Sequence, residues 1–75
     1  MEISCDKIDE AVLALLYLTY DEDTHRAWKG MDWEAMDRLH AKGFIDDPRS
    51  KNKSVVLSNA GALEAKKLFE KLFSK

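Results

Sequence analysis

The sequence predicts a mostly helical domain with a small β-hairpin, built from three main helices plus a two-stranded wing. Three observations carry that expectation. Capping residues stand at Asp6, Asp32 and Ser58, each ahead of an apolar pattern of helical period. Gly43 follows the second pattern, where helices commonly end in a left-handed residue. Between Gly43 and Ser58, the β-prone segments Phe44-Ile45 and Ser54-Val55-Val56-Leu57 enclose a polar turn containing Pro48.

The first helix is expected over residues 6–20, with Asp6 as its cap and Asp9 in its first turn, where acids suit the helix dipole. Ile8, Ala11, Val12, Leu15, Leu16 and Thr19 recur along one face. Leu13, Tyr17 and Tyr20 form a second apolar stripe. A helix apolar on two sides is sandwiched, and in so small a chain the second cover is expected from another subunit. Residues 21–31 are polar and leave room for one helical turn, His25-Arg26-Ala27-Trp28-Lys29, before Gly30. The second helix spans 32–42, with Ala35, Met36 and Leu39 inward, and Phe44 is expected to pack on Leu39 past Gly43. The hairpin follows over 44–57. The last helix spans 58–73, with Gly61, Ala65, Leu68 and Leu72 buried and Ala62, Phe69 and Phe73 at the stripe's edge.

With 75 residues, the chain is expected to be one domain, 1–75, with a thin core. Cys5 is the only cysteine, so no intrachain disulfide forms, and a lone thiol suits a reducing cytoplasm. The start lacks the basic and apolar segments of a signal peptide, and the longest apolar run, Ala11 to Leu18, is far shorter than the roughly 20 residues a bilayer span requires. The expectation is a cytoplasmic protein with no membrane partner. Net charge is −2, unevenly placed: residues 1–37 carry ten acids and three bases, residues 38–75 nine bases and four acids. Such a chain can present one acidic and one basic surface.

Two stretches resemble winged-helix proteins. Leu39-His40-Ala41-Lys42-Gly43-Phe44-Ile45 is similar to the end of a winged-helix recognition helix, and Lys53-Ser54-Val55-Val56-Leu57-Ser58-Asn59-Ala60-Gly61 to the second wing strand and the helix start after it. Arg26 to Asp37 resembles a family of short bacterial proteins of unknown function. The resemblance implies a winged-helix-like fold and, by analogy, association with DNA. Residues 20–31 are too few for a full additional helix, so the helix-turn-helix half is expected to be abbreviated.

The functional classes narrow accordingly. Cys5, His25 and His40 lie in unrelated segments, with no nucleophile, phosphate-loop or metal-ligand spacing, so no enzyme, cofactor, metal site or catalytic residue is expected. Trp28 and Trp33 are candidate partner anchors, although closing a small core is the commoner use of such residues. For nucleic acid the candidates are Arg38, Arg49, Lys51 and Lys53, against a helix face also carrying Glu34 and Asp37, so binding is expected to be weak. The leading expectation is a non-enzymatic interaction module, homodimeric through Leu13, Tyr17, Tyr20, Phe69 and Phe73, which also meets an unidentified protein partner. A winged-helix DNA-associated regulator is the second reading. An acidic module imitating nucleic acid is the third.

Overall fold

A computed structural model describes all residues 1–75. Its order is α1 (Cys5–Leu16), a 3₁₀ turn (Tyr17–Thr19), β1 (Arg26–Trp28), α2 (Trp33–Ala41), β2 (Ser54–Val56) and α3 (Asn59–Phe73). Three helices and a two-stranded antiparallel sheet give the mostly helical class expected from the sequence, in a layout compatible with a winged-helix-like arrangement.

Local chemistry sets most boundaries. Asp32 caps α2, its carboxylate accepting from Ala35 N–H at 3.1 Å. Gly43 ends that helix at φ +80°, where an L side chain is strained. Gly43 N–H donates to His40 O at 3.0 Å and Phe44 N–H to Leu39 O at 3.1 Å, completing the paired bonds of a Schellman end. Ser58 caps α3 through Gly61 N–H at 3.0 Å, and its hydroxyl donates to Gly43 O at 2.7 Å. One serine thus starts α3 and ties it to the end of α2. At the first helix the cap is Ser4, accepting from Lys7 N–H at 3.2 Å, and not Asp6, which lies inside the first turn.

The strand pairing differs from a simple 44–57 hairpin. Arg26–Trp28, expected as a helical turn, is a strand, with Arg26 opposite Val56 and Trp28 opposite Ser54. Thr19 Oγ1 accepts from Trp28 N–H at 2.9 Å, and the 21–25 turn closes with His25 at φ +59°. The wing itself is reduced to one bridge, Ile45 to Leu57. Beyond it, Asp46 N–H donates to Val56 O at 2.9 Å, but Val56 N–H is met by the Asp46 carboxylate at 2.8 Å, where a second strand would offer a carbonyl. Asp47 then takes Arg49 N–H in a side-chain turn around Pro48, and the ladder stops. Leu57 N–H donates to His25 O, so β2 runs between β1 and the Ile45–Asp46 segment.

The core joins Leu13, Leu16, Met36, Leu39, Ile45, Val55, Leu57 and Leu68 around α1. Three assignments along α1 change. Ile8 is exposed and Leu15 half-buried, whereas Leu13, expected at a subunit interface, is fully buried. The reason is geometric: α1 packs against both α2 and α3, and Leu13 lines the same cleft as Leu39, Phe44 and Leu68. In α3, Gly61, Ala65 and Leu68 are buried as expected, but Leu72 is exposed beyond the reach of α1.

Gly61 is where α3 comes closest to its neighbour: a Cβ there would overlap the carbonyl of Phe44, whereas one at Gly43 meets nothing. Gly61→Ala is therefore expected to lower the unfolding free energy by about 3 kcal/mol or more, because rigid backbone must move. Gly43→Ala should lower it by about 1–2 kcal/mol, from backbone strain alone. Urea denaturation of both variants separates the causes, and equal losses would contradict the close approach.

Candidate functional site

Arg38 is not presented outward. Asp9, only 1% exposed, sits between α1 and α2, and Arg38 Nε reaches its two oxygens at 2.9 and 2.8 Å. Arg38 Nη2 adds a 2.8 Å contact and Lys42 Nζ a 3.4 Å one. The hydrogen bond from Arg38 holds the Asp9 carboxyl below its ordinary value of 3.8, against the opposing effect of burial, and Asp9 in turn raises the guanidinium's pKa. Arg38 thus serves as a clamp between helices. Of the other cations considered for nucleic acid, Arg49 pairs with Asp37 at 3.1 Å, while Lys51 and Lys53 are exposed without a carboxylate partner.

Four aromatic rings form a ladder from the 3₁₀ turn after α1 to α3. Tyr20 stacks on Tyr17 with centroids 6.0 Å apart, Tyr17 meets Phe69 at 5.3 Å, and Phe69 meets Phe73 edge-on at 5.4 Å. Tyr17, Tyr20 and Phe69 are half-buried and Phe73 is exposed. The structure therefore brings together four of the five residues named for an interface and withdraws Leu13 into the core. It also adds neighbours that the sequence did not mark. Tyr20 Oη lies 2.9 Å from His25 Nδ1, and Leu63, 65% exposed, joins Glu22 and Lys66 along an open groove of about 440 Å³. Leu63 has a sequence signal only in retrospect, lying off the buried stripe of α3.

The tryptophans do not close the core. Trp28 is 52% and Trp33 63% exposed, and they share a shallow groove of about 460 Å³ with Lys29, Gly30, Met31 and Lys53. Lys29 donates to Pro48 O and Ser50 O at 2.9 and 2.6 Å, pinning the 48–50 turn beside that groove. His40 Nδ1 lies 3.1 Å from Ile45 O, so it carries the proton and donates to the chain leaving α2. No helix is long and apolar enough to cross a membrane.

The clamp gives a signed pH dependence. Because the native carboxyl of Asp9 is depressed, its stabilisation is present above about pH 4 and is lost as pH falls through the lower native value. Asp9→Asn is expected to reduce stability at neutral pH by about 1.5–3 kcal/mol, the range for hydrogen bonds to charged groups. Urea denaturation should show wild type and variant converging in acid. A difference independent of pH would refute the charge's role.

No solved structure matches the chain. It is 52% identical to the uncharacterized protein y4hR of Sinorhizobium fredii (strain NBRC 101917 / NGR234) over 75 residues, covering all of both chains. Residues 4–75 match the model of the family described as "Domain of unknown function (DUF6429)". The chain belongs to this family.

Proposed function

We propose that the chain is a small non-enzymatic interaction module that pairs with a second copy of itself through the aromatic ladder. The carrying observation is that Tyr20, Tyr17, Phe69 and Phe73 form a continuous ring-to-ring row, half-buried along its first three rings, that emerges at the surface at Phe73. Exposed Leu63 extends it. Large aromatic surfaces of this kind supply the dominant energy of protein interfaces. The groove beside the ladder is bordered by Glu22 and by Lys66, an arrangement that suits a twofold pairing: rotation sets the lysine of one copy against the glutamate of the other. At tens of micromolar, light scattering should give twice the 8.6 kDa chain mass. Leu63→Glu and Phe73→Glu, at exposed positions, should return it to one chain mass with unchanged helical circular dichroism, because a buried unpaired charge is strongly unfavourable at an interface. A wild-type mass of one chain would overturn the reading.

A second reading, a winged-helix DNA-associated regulator, is favoured by β2 lying between β1 and Ile45–Asp46. The side chains weigh against strong duplex recognition. Arg38 is held by Asp9 and Arg49 by Asp37, leaving Glu34 exposed on α2 and Lys51 and Lys53 as unpaired cations of the following turn. Two phosphate contacts give a logarithmic salt slope of about −2, so duplex binding is expected to be weak and independent of sequence at physiological salt. Anisotropy titrations of random duplex at two salt concentrations test this. Nanomolar, sequence-selective binding lost on Arg38→Ala would establish the regulator instead.

A further inference from the structure

The outward face of a two-stranded sheet is ordinarily polar, and here it also carries an exposed indole. In β1, Ala27 points into the core, which turns Arg26 and Trp28 to the other side. In β2, Val55 is the buried residue, so Ser54, directly opposite Trp28, shares that outer side. An indole more than half exposed thus lies in a strand two residues from an arginine. Arg26 makes one side-chain hydrogen bond, Nη1 to Ser54 Oγ at 3.1 Å, and no ion pair, so most of its donors remain available. Lys53, exposed and without a carboxylate partner, adjoins Ser54 and borders the groove shared by Trp28 and Trp33.

The indole's position is specified. A Cβ on Gly30 would overlap Trp28 Nε1, so this residue must be small for the ring to lie against the turn. The carboxylate of Asp32, next to Trp33, is directed to Ala35 N–H. Trp28 also borders a second shallow groove, of about 420 Å³, with Thr24, Arg26 and Ser54. Two exposed indoles, unpaired cations beside them and hydroxyls between form a combination suited to one ligand chemistry: flat aromatic rings joined by negative charges. Duplex DNA hides its ring faces, whereas a single strand offers them.

We propose that this sheet face, with Trp33 at its border, is a stacking site for single-stranded nucleic acid, with Trp28 and Trp33 taking bases and Arg26 and Lys53 taking phosphates. Thr24, Ser54 and Asp21 around Trp28 make the surface too polar for insertion into a lipid interface. The site shares no residue with the aromatic ladder and does not depend on dimerisation.

Trp28 and Trp33 are the chain's two tryptophans, so indole emission, excited at wavelengths that tyrosine does not absorb, reports on this site alone. Titration of the whole protein with an oligo-dT of about a dozen nucleotides at low salt should quench that emission, with micromolar affinity. The logarithmic salt slope should be about −1 to −2, since single strands give about −0.7 per phosphate neutralised. Measured by anisotropy of a labelled oligonucleotide, Trp33→Ala should weaken binding about tenfold, within the range for loss of one base stack. Lys53→Glu should weaken it and flatten the salt slope. Trp28→Phe keeps an aromatic face and should retain most of the affinity, which separates stacking from folding defects. The proposal is overturned by unchanged emission, by binding indifferent to Trp33→Ala, by duplex bound as tightly as single strand, or by quenching with phosphatidylglycerol vesicles but not with oligonucleotide.

Discussion

The buried carboxylate of Asp9 is the constraint on which the relation between α1 and α2 depends. A carboxylate this far from water is tolerated only where donors replace its hydration, and Arg38 supplies two bonds from Nε with a further contact from Nη2. The clamp adds directional bonds between α1 and α2 to the apolar contacts of Ala35, Met36 and Leu39. It also has a functional consequence. The arginine best placed on α2 to read a base edge is spent inside the fold, and Asp37 occupies the next available guanidinium, that of Arg49. What remains on α2 is a face that does not favour phosphate.

With α2 so placed and Gly61 admitting the carbonyl of Phe44, α1 is enclosed on two sides. Leu13 is consumed by that enclosure. The enclosure does not reach past the end of α1, where the chain passes into the 3₁₀ turn, Tyr17 is left against Phe69 and Tyr20 against Tyr17. A chain of this length has too little material to cover every apolar side of a central helix. The ladder is therefore the continuation of the core toward the surface.

The features legible in the sequence are those made by neighbours along the chain. Asp32, Ser58 and the Gly43 stop each work through bonds spanning three to five residues, and each stands where the pattern put it. The apolar stripe of α3 is legible for the same reason as far as Leu68, though not at Leu72, as are Tyr17, Phe69 and Phe73 as apolar side chains off the main stripe. Pairings across long separations were not. Arg26-Ala27-Trp28 has no strand signature of its own, and becomes a strand because Ser54–Val56 and Thr19 Oγ1 meet its backbone. Asp9 reads as a dipole-favouring acid in a first turn, since nothing local reveals that Arg38, 29 positions on, will bury it. The cap at Ser4 is hidden because Asp6 offers the same chemistry two residues later. The exposure of the tryptophans was equally hidden, because it depends on which side of β1 faces the helices.

The two surfaces carry different consequences when taken together. The ladder and the sheet face have no residue in common, so the pairing proposed through the first uses none of the residues proposed for the second. A single site with two indoles and two cations holds a short strand weakly, because few contacts must offset the ordering of a flexible ligand. Two such sites on the proposed dimer would change that balance. With one copy engaged on a strand, the other would meet the same strand at an effective concentration set by the intervening nucleotides, where the geometry lets both engage, and avidity can exceed single-site affinity by orders of magnitude without any new contact. Under the two proposals together, the aromatic ladder would set how tightly nucleic acid is held without touching it. Charge-reversing the ladder should then weaken binding to a long strand while leaving binding to a short oligonucleotide unchanged. A ladder with no part in binding would leave both affinities as they were.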